Sequence, residues 1–117
     1  MNIFKSLFGA DNGTQVSAGE AKTWIDGDDT PFILDVRQPD EFRAGHIPGA
    51  RVIPLGELSS RQGELPRNRT ILCVCRSGAR SGAAARQLRD QGLNAVNLRG
   101  GMMEWQKAGQ PVSKKRT

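Results

Sequence analysis

The stretch Thr70-Ile71-Leu72-Cys73-Val74 constrains the fold more than any other part of the chain. After Thr70 it is apolar at every position, with no alternation of polar and apolar residues. A strand wetted on one side alternates; a strand buried on both sides does not. Such a strand belongs in the middle of a parallel sheet, with helices above and below it. Phe32-Ile33-Leu34, after Pro31, is a second run of this kind, and Asn94 to Leu98 reads as a last strand. Helical or turn-rich stretches separate them. Strands alternating with helices predict an α/β fold on a mostly parallel sheet. At 117 residues the chain has room for one domain with one core.

The remaining segments fit around these strands. Thr14-Gln15-Val16 is a candidate short strand. Ser17 with Glu20 makes a capping box that opens a helix over Ala18 to Ile25. Pro39 to Arg43 starts a short helix with acids in its first turn, where the helix dipole favours them. Arg51-Val52-Ile53 is a short strand broken at Pro54, and residues 55–65 form polar helical turns. A helix runs from about Ala79 to Gln91 and stops at Gly92. Ala83, Ala84, Ala85 and Leu88 give it a small-residue face able to lie close to a sheet. Met102 to Ala108 is the final helix.

Ile3, Phe4, Leu7 and Phe8 fall on one face if residues 2–8 are helical. The favoured reading of that segment is docking on the domain or on a partner subunit. Membrane-surface contact by residues 1–8 is the weaker alternative, because one lysine on about two turns gives little affinity. The chain therefore divides into an N-terminal amphipathic segment and linker (1–13), a domain (14–112) and a basic solvated tail (113–117).

Charge and cysteine usage narrow the function. The net charge is +5, and arginine supplies twelve of the seventeen cations. Its planar donor fork suits oxyanions. No arginine-rich run is interleaved with aromatics, so nucleic acid is not an expected partner. Two cysteines placed two residues apart make no disulfide framework. Reduced thiols point to a reducing compartment, and the cytoplasm is the expected location. Residues 1–9 carry no secretory signal pattern, and no stretch approaches the roughly 20 apolar residues of a spanning helix.

Chemistry concentrates where the Thr70–Val74 strand ends. The next residues are Cys75-Arg76-Ser77-Gly78-Ala79-Arg80-Ser81. In open parallel sheets the crevice at the strand C-terminal ends is the default site. Arg76 and Arg80, the N-terminus of the following helix and a nest of loop amides are each expected to lower the Cys75 thiol pKa. Gly78 permits a backbone conformation that other residues resist. The cradle suits an oxyanion or a persulfide anion. Cys73, inside the strand, is expected to pack; a resolving role for it requires that the following helix leave it uncovered. A cysteine phosphatase places its arginine six positions after the cysteine, where this chain has Ser81. Arg80 comes one residue early, which makes a smaller cradle. A Cys–His dyad would have to use His46, the one histidine, whose Gly/Pro-rich loop reads as a turn. No metal ligand set and no cofactor are expected.

Four motifs resemble the rhodanese-like family in its single-domain form. They are Asp35-Val36-Arg37; Glu41-Phe42-Arg43-Ala44-Gly45-His46-Ile47-Pro48-Gly49-Ala50; the Cys75-to-Ser81 loop; and Leu98-Arg99-Gly100-Gly101-Met102-Met103-Glu104-Trp105. Their order and spacing match across roughly residues 14–112. The resemblance implies a five-stranded, mostly parallel sheet with helices on both faces. It implies a thiosulfate sulfurtransferase in which Cys75 cycles between thiol and persulfide. A small anionic sulfur donor loads the cysteine, and cyanide, a thiol or a protein acceptor removes the sulfur. Family members with six residues from the cysteine to the arginine are typically sulfurtransferases, and those with seven are phosphatases; Cys75 to Arg80 counts six. By position, Cys75 is the nucleophile, and the amides of Arg76, Ser77, Gly78, Ala79, Arg80 and Ser81 cradle the persulfide. Arg76 and Arg80 hold the sulfonate end of the donor. Asp35 and Arg37 are supporting residues. The alternative is a sulfur-relay or regulatory protein-binding module with little turnover of its own.

Overall fold

The computed structural model describes residues 13–115. The amphipathic reading of residues 2–8 and the end of the basic tail lie outside the described residues. The strands are β1 (Gln15–Val16), β2 (Phe32–Asp35), β3 (Arg51–Val52), β4 (Ile71–Val74) and β5 (Ala95–Leu98). The helices are α1 (Ala18–Ile25), α2 (Pro39–Ala44), α3 (Leu58–Arg61, between two short 3₁₀ turns), α4 (Ala79–Asp90) and α5 (Gly101–Lys107). The strands form one sheet in the order β1-β5-β4-β2-β3, all parallel. β4 is central, as its uniformly apolar sequence predicts, and all four of its residues are buried.

The missing alternation in β4 hides a real one. Successive side chains of a strand point to opposite faces. Leu72 and Val74 join Val16, Ile33, Phe42, Val96, Leu98 and Trp105 in one apolar layer. Ile71, Cys73 and Cys75 join Leu34, Val36, Ala84, Ala85 and Leu88 in the other. α1, α2 and α5 cover the first face; α3 and α4 cover the second. The α4 contact differs from the expected one in a single residue. Ser81, Ala84, Ala85 and Leu88 are its buried positions, and Ala83 is only half-buried. Helical residues three and four apart share a face, and Ala83 falls off that row.

Local signals set the element ends. The Ser17 hydroxyl accepts from the Glu20 amide at 3.2 Å and the Glu20 carboxylate accepts from the Ser17 amide at 2.8 Å, completing the capping box. At the chain's other end the backbone stays engaged as far as Ser113, which exchanges hydrogen bonds with His46 at 2.9 and 2.8 Å. The segment expected to be solvated from residue 113 therefore begins with a paired residue. The loops after β2, β4 and β5 meet at the C-terminal edge of the sheet. Among the described residues no helix is long and apolar enough to cross a membrane.

Candidate active site

Cys75 directly follows β4, and its residue surface is fully covered. The chain then turns through Arg76 and Ser77 and enters α4 with Gly78 as N-cap. Gly78 has φ +101, and a Cβ there would lie 3.1 Å from the Gly100 nitrogen, so the position suits glycine for both reasons. The turn folds back on its own sulfur. The Gly78 amide donates to Cys75 Sγ at 3.1 Å, and the Ser81 hydroxyl lies 3.3 Å from it.

Burial pushes the Cys75 thiol up. The Ser81 hydroxyl and the amides of Ser81, Gly78 and Ser77 outweigh that and hold it below the ordinary thiol value. Of the three causes expected from the sequence, the nest of loop amides is the one seen acting on the sulfur, and the Ser81 hydroxyl, which was not expected, joins it. Arg80 is already engaged. Its Nη1 and Nη2 donate to Glu41 Oε1 and Oε2 at 2.8 and 3.0 Å, a bidentate fork across from α2. The Arg80 bond, acting against desolvation, holds the Glu41 carboxyl down at about 2, so it stays charged through the physiological range. Arg76 is exposed. It lines an open groove of about 270 Å³ together with Glu41, Met102 and Met103. A larger groove, about 520 Å³, lies near Ser17, Arg99 and Lys107 and takes no lining from the Cys75 loop.

Cys73 sits in the same layer as Cys75 but beneath α4, and both thiols are free. Burial pushes Cys73 up to about 12. Covered in this way it packs, and the resolving-thiol reading loses its condition.

Two further elements hold the loop. α5 approaches it end-on: the Met102 amide donates to the Cys75 carbonyl at 2.8 Å and the Met103 amide to the Arg76 carbonyl at 3.0 Å. First-turn amides of a helix have no partners within the helix, and here the loop carbonyls supply them. From β5, Asn97 reaches under α4 to Ser81 Oγ at 2.6 Å and to the Gly78 carbonyl at 3.1 Å. Sequence reasoning missed Asn97 and Glu41. The signal for Asn97 was present as a lone amide within an otherwise apolar strand.

Asp35 and Arg37 form a separate, buried unit. The Arg37 amide, Nε and Nη2 all donate to the Asp35 carboxylate, and Nη2 also donates to the Gly45 carbonyl at 2.8 Å. The pair ties the end of β2 to the loop before His46. His46 is fully buried and stacks on Phe42 with ring centroids 3.7 Å apart; its Nδ1 bonds the Phe42 carbonyl. Phe42 belongs to the layer on the opposite face of the sheet from Cys75, which leaves the Cys–His dyad without support. Among the described residues no three His, Cys, Asp or Glu side chains group as a metal site.

Comparison with known proteins agrees with this architecture. The family model described as a rhodanese-like domain matches residues 17–108. YrkF of Bacillus subtilis (strain 168), provisionally named a sulfur carrier protein, is 42% identical over 92 residues, covering 78% of this chain and 50% of YrkF. The chain thus spans about half the length of that relative. A protein named sulfurtransferase from Allochromatium vinosum is 41% identical over 82 residues, covering 69% of this chain and 77% of that one. The crystal structure of a rhodanese-related protein from Thermoplasma volcanium superposes with a TM-score of 0.82 at 32% identity, covering 87% of this chain and 99% of that chain. With the matched region running from the N-cap of α1 to the end of α5, the chain belongs to the rhodanese-like family.

Proposed function

We propose that this protein is a sulfurtransferase that carries a sulfane sulfur on Cys75. The observation that carries the reading is the six-residue turn from Cys75 to Arg80, with the Gly78 amide and Ser81 hydroxyl on the sulfur. A thiolate held by such donors attacks the outer sulfur of thiosulfate. The sulfur–sulfur bond of the donor breaks, and sulfite leaves with its electron pair. Cys75 becomes a persulfide anion, which the same donors stabilise. Cyanide or an acceptor thiolate then takes the terminal sulfur, returning the Cys75 thiolate. The exposed side of the loop, at Arg76 and Ser77, is where donor and acceptor approach. Incubation with thiosulfate should add one sulfur atom to the intact protein mass, and Cys75→Ser should gain none. An unchanged mass, or sulfur carried by the serine variant, overturns the reading.

A second reading is favoured by the engagement of Arg80. With its fork filled by Glu41, half of the expected clamp for a dianionic donor is neutralised. The protein then serves as a relay between persulfides of low charge, small or protein-borne. Faster loading of Cys75 from a low-charge persulfide than from thiosulfate at equal concentration would select this reading; the reverse order would select the first.

A further inference from the structure

Asn97 is a buried amide in an aliphatic layer. It lies two residues after Ala95 on β5, on the face that carries Leu34, Ile71 and Cys73, and it is 7% exposed. A buried amide is costly unless its atoms are bonded. Here both ends are. Nδ2 donates to the Gly78 carbonyl, and Oδ1 lies 2.6 Å from Ser81 Oγ. Gly78 fixes the orientation, because a carbonyl only accepts and the amide nitrogen must face it. That leaves Oδ1 toward Ser81.

Ser81 is thereby given two acceptors. Its hydroxyl lies 2.6 Å from Asn97 Oδ1 and 3.3 Å from Cys75 Sγ, and it has one proton to donate. While Cys75 is a thiol, its S–H donates to Ser81 Oγ, and Ser81 donates to Asn97. Once the sulfur is an anion, its proton having left to water, the Ser81 proton serves the sulfur best, and Asn97 Oδ1 gives up its donor. We propose that Asn97 is a positioning residue that sets this choice: it holds the Ser81 hydroxyl off the sulfur at rest and yields it to the thiolate or persulfide anion. The role rests on the reading of Cys75 as the sulfur-carrying residue.

The charged groups near the sulfur do not change with Asn97. Arg80 is the one that acts on Cys75 by charge, and it is paired to Glu41 of α2; Arg76 lies on the loop, and the Asp35–Arg37 pair at the end of β2 is bonded within itself. Cys73 on β4 stays a neutral thiol. Asn97→Ala and the volume-conserving Asn97→Leu both remove the competing acceptor.

The test is the pH dependence of Cys75 alkylation by iodoacetamide, read by peptide mass. Each variant should move the midpoint down by about half a pH unit, the scale of one neutral hydrogen bond. In a Ser81→Ala background the same substitutions should move it no further. A residue that merely shaped the loop would raise the midpoint or leave it in place. Either result, or a downward shift that persists without Ser81, overturns the proposal. If the alanine variant does not fold, the leucine variant decides. Alkylation needs no sulfur donor, so the outcome is separable from the thiosulfate mass experiment.

Discussion

Gly101→Ala should cost the fold about 3–5 kcal/mol, measured by urea denaturation, and should release the Cys75 loop from α5. Gly101 adopts φ +55, a region that an L side chain enters at a penalty of about 1–2 kcal/mol. Space is the larger problem. An added Cβ would lie 2.4 Å from the Cys75 carbonyl oxygen and 2.6 Å from that of Arg76. Both are backbone atoms and cannot swing aside. They are also the acceptors of the Met102 and Met103 amides, so moving them breaks the bonds that seat the loop. The thiol should then lose its aimed donors, and its alkylation midpoint should rise. Gly19→Ala is the control: nothing lies within 4 Å of a Cβ there, and the site is helical, so stability should hold or improve. A loss below about 1 kcal/mol for Gly101→Ala would show that the loop and α5 are not rigidly seated on each other.

Arg37→Ala should be comparably severe, at about 3–5 kcal/mol, because it leaves an ionised carboxylate buried without its partner. Asp35 is fully covered, and three Arg37 donors supply its hydrogen bonds. The Gly45 carbonyl loses its donor as well. Replacing both residues at once, Asp35→Leu with Arg37→Met, should cost less than Arg37→Ala alone, since the uncompensated charge is then gone. Denaturant midpoints of the two variants, set against that of the unaltered protein, test this. A cost near that of a surface pair, about 1 kcal/mol or less, would contradict the burial argument, as would a double variant worse than the single one.

Whatever depends on neighbours in sequence was legible. The apolar run placed β4 at the sheet centre, and the capping box placed the start of α1. The place of Cys75 at a strand end followed from the run and from the helix pattern after it. What could not be read was direction and distance. Strand geometry puts Cys73 and Cys75 on one side and Leu72 and Val74 on the other, but a run without alternation does not say which helices cover each side. Arg80 looked free because its partner Glu41 lies 39 residues earlier. The sequence names arginines, a helix end and a nest of loop amides around the thiol; that the Ser81 hydroxyl and the Ser77, Gly78 and Ser81 amides are the groups aimed at the sulfur is a matter of direction that only the fold shows. Asn97 is 16 residues from Ser81, and only the fold reveals that they meet.

The bonds from α5 to the loop have a consequence for synthesis. A chain emerges from its N-terminus, and the Cys75 segment is made well before Met102 and Met103. Until those amides arrive, the Cys75 and Arg76 carbonyls have no helix to accept from, and Asn97 is not yet in place beneath α4. The loop therefore gains its full set of supports last, when the final helix docks. A C-terminally clipped chain would carry the loop sequence in full and lack the bonds that seat it.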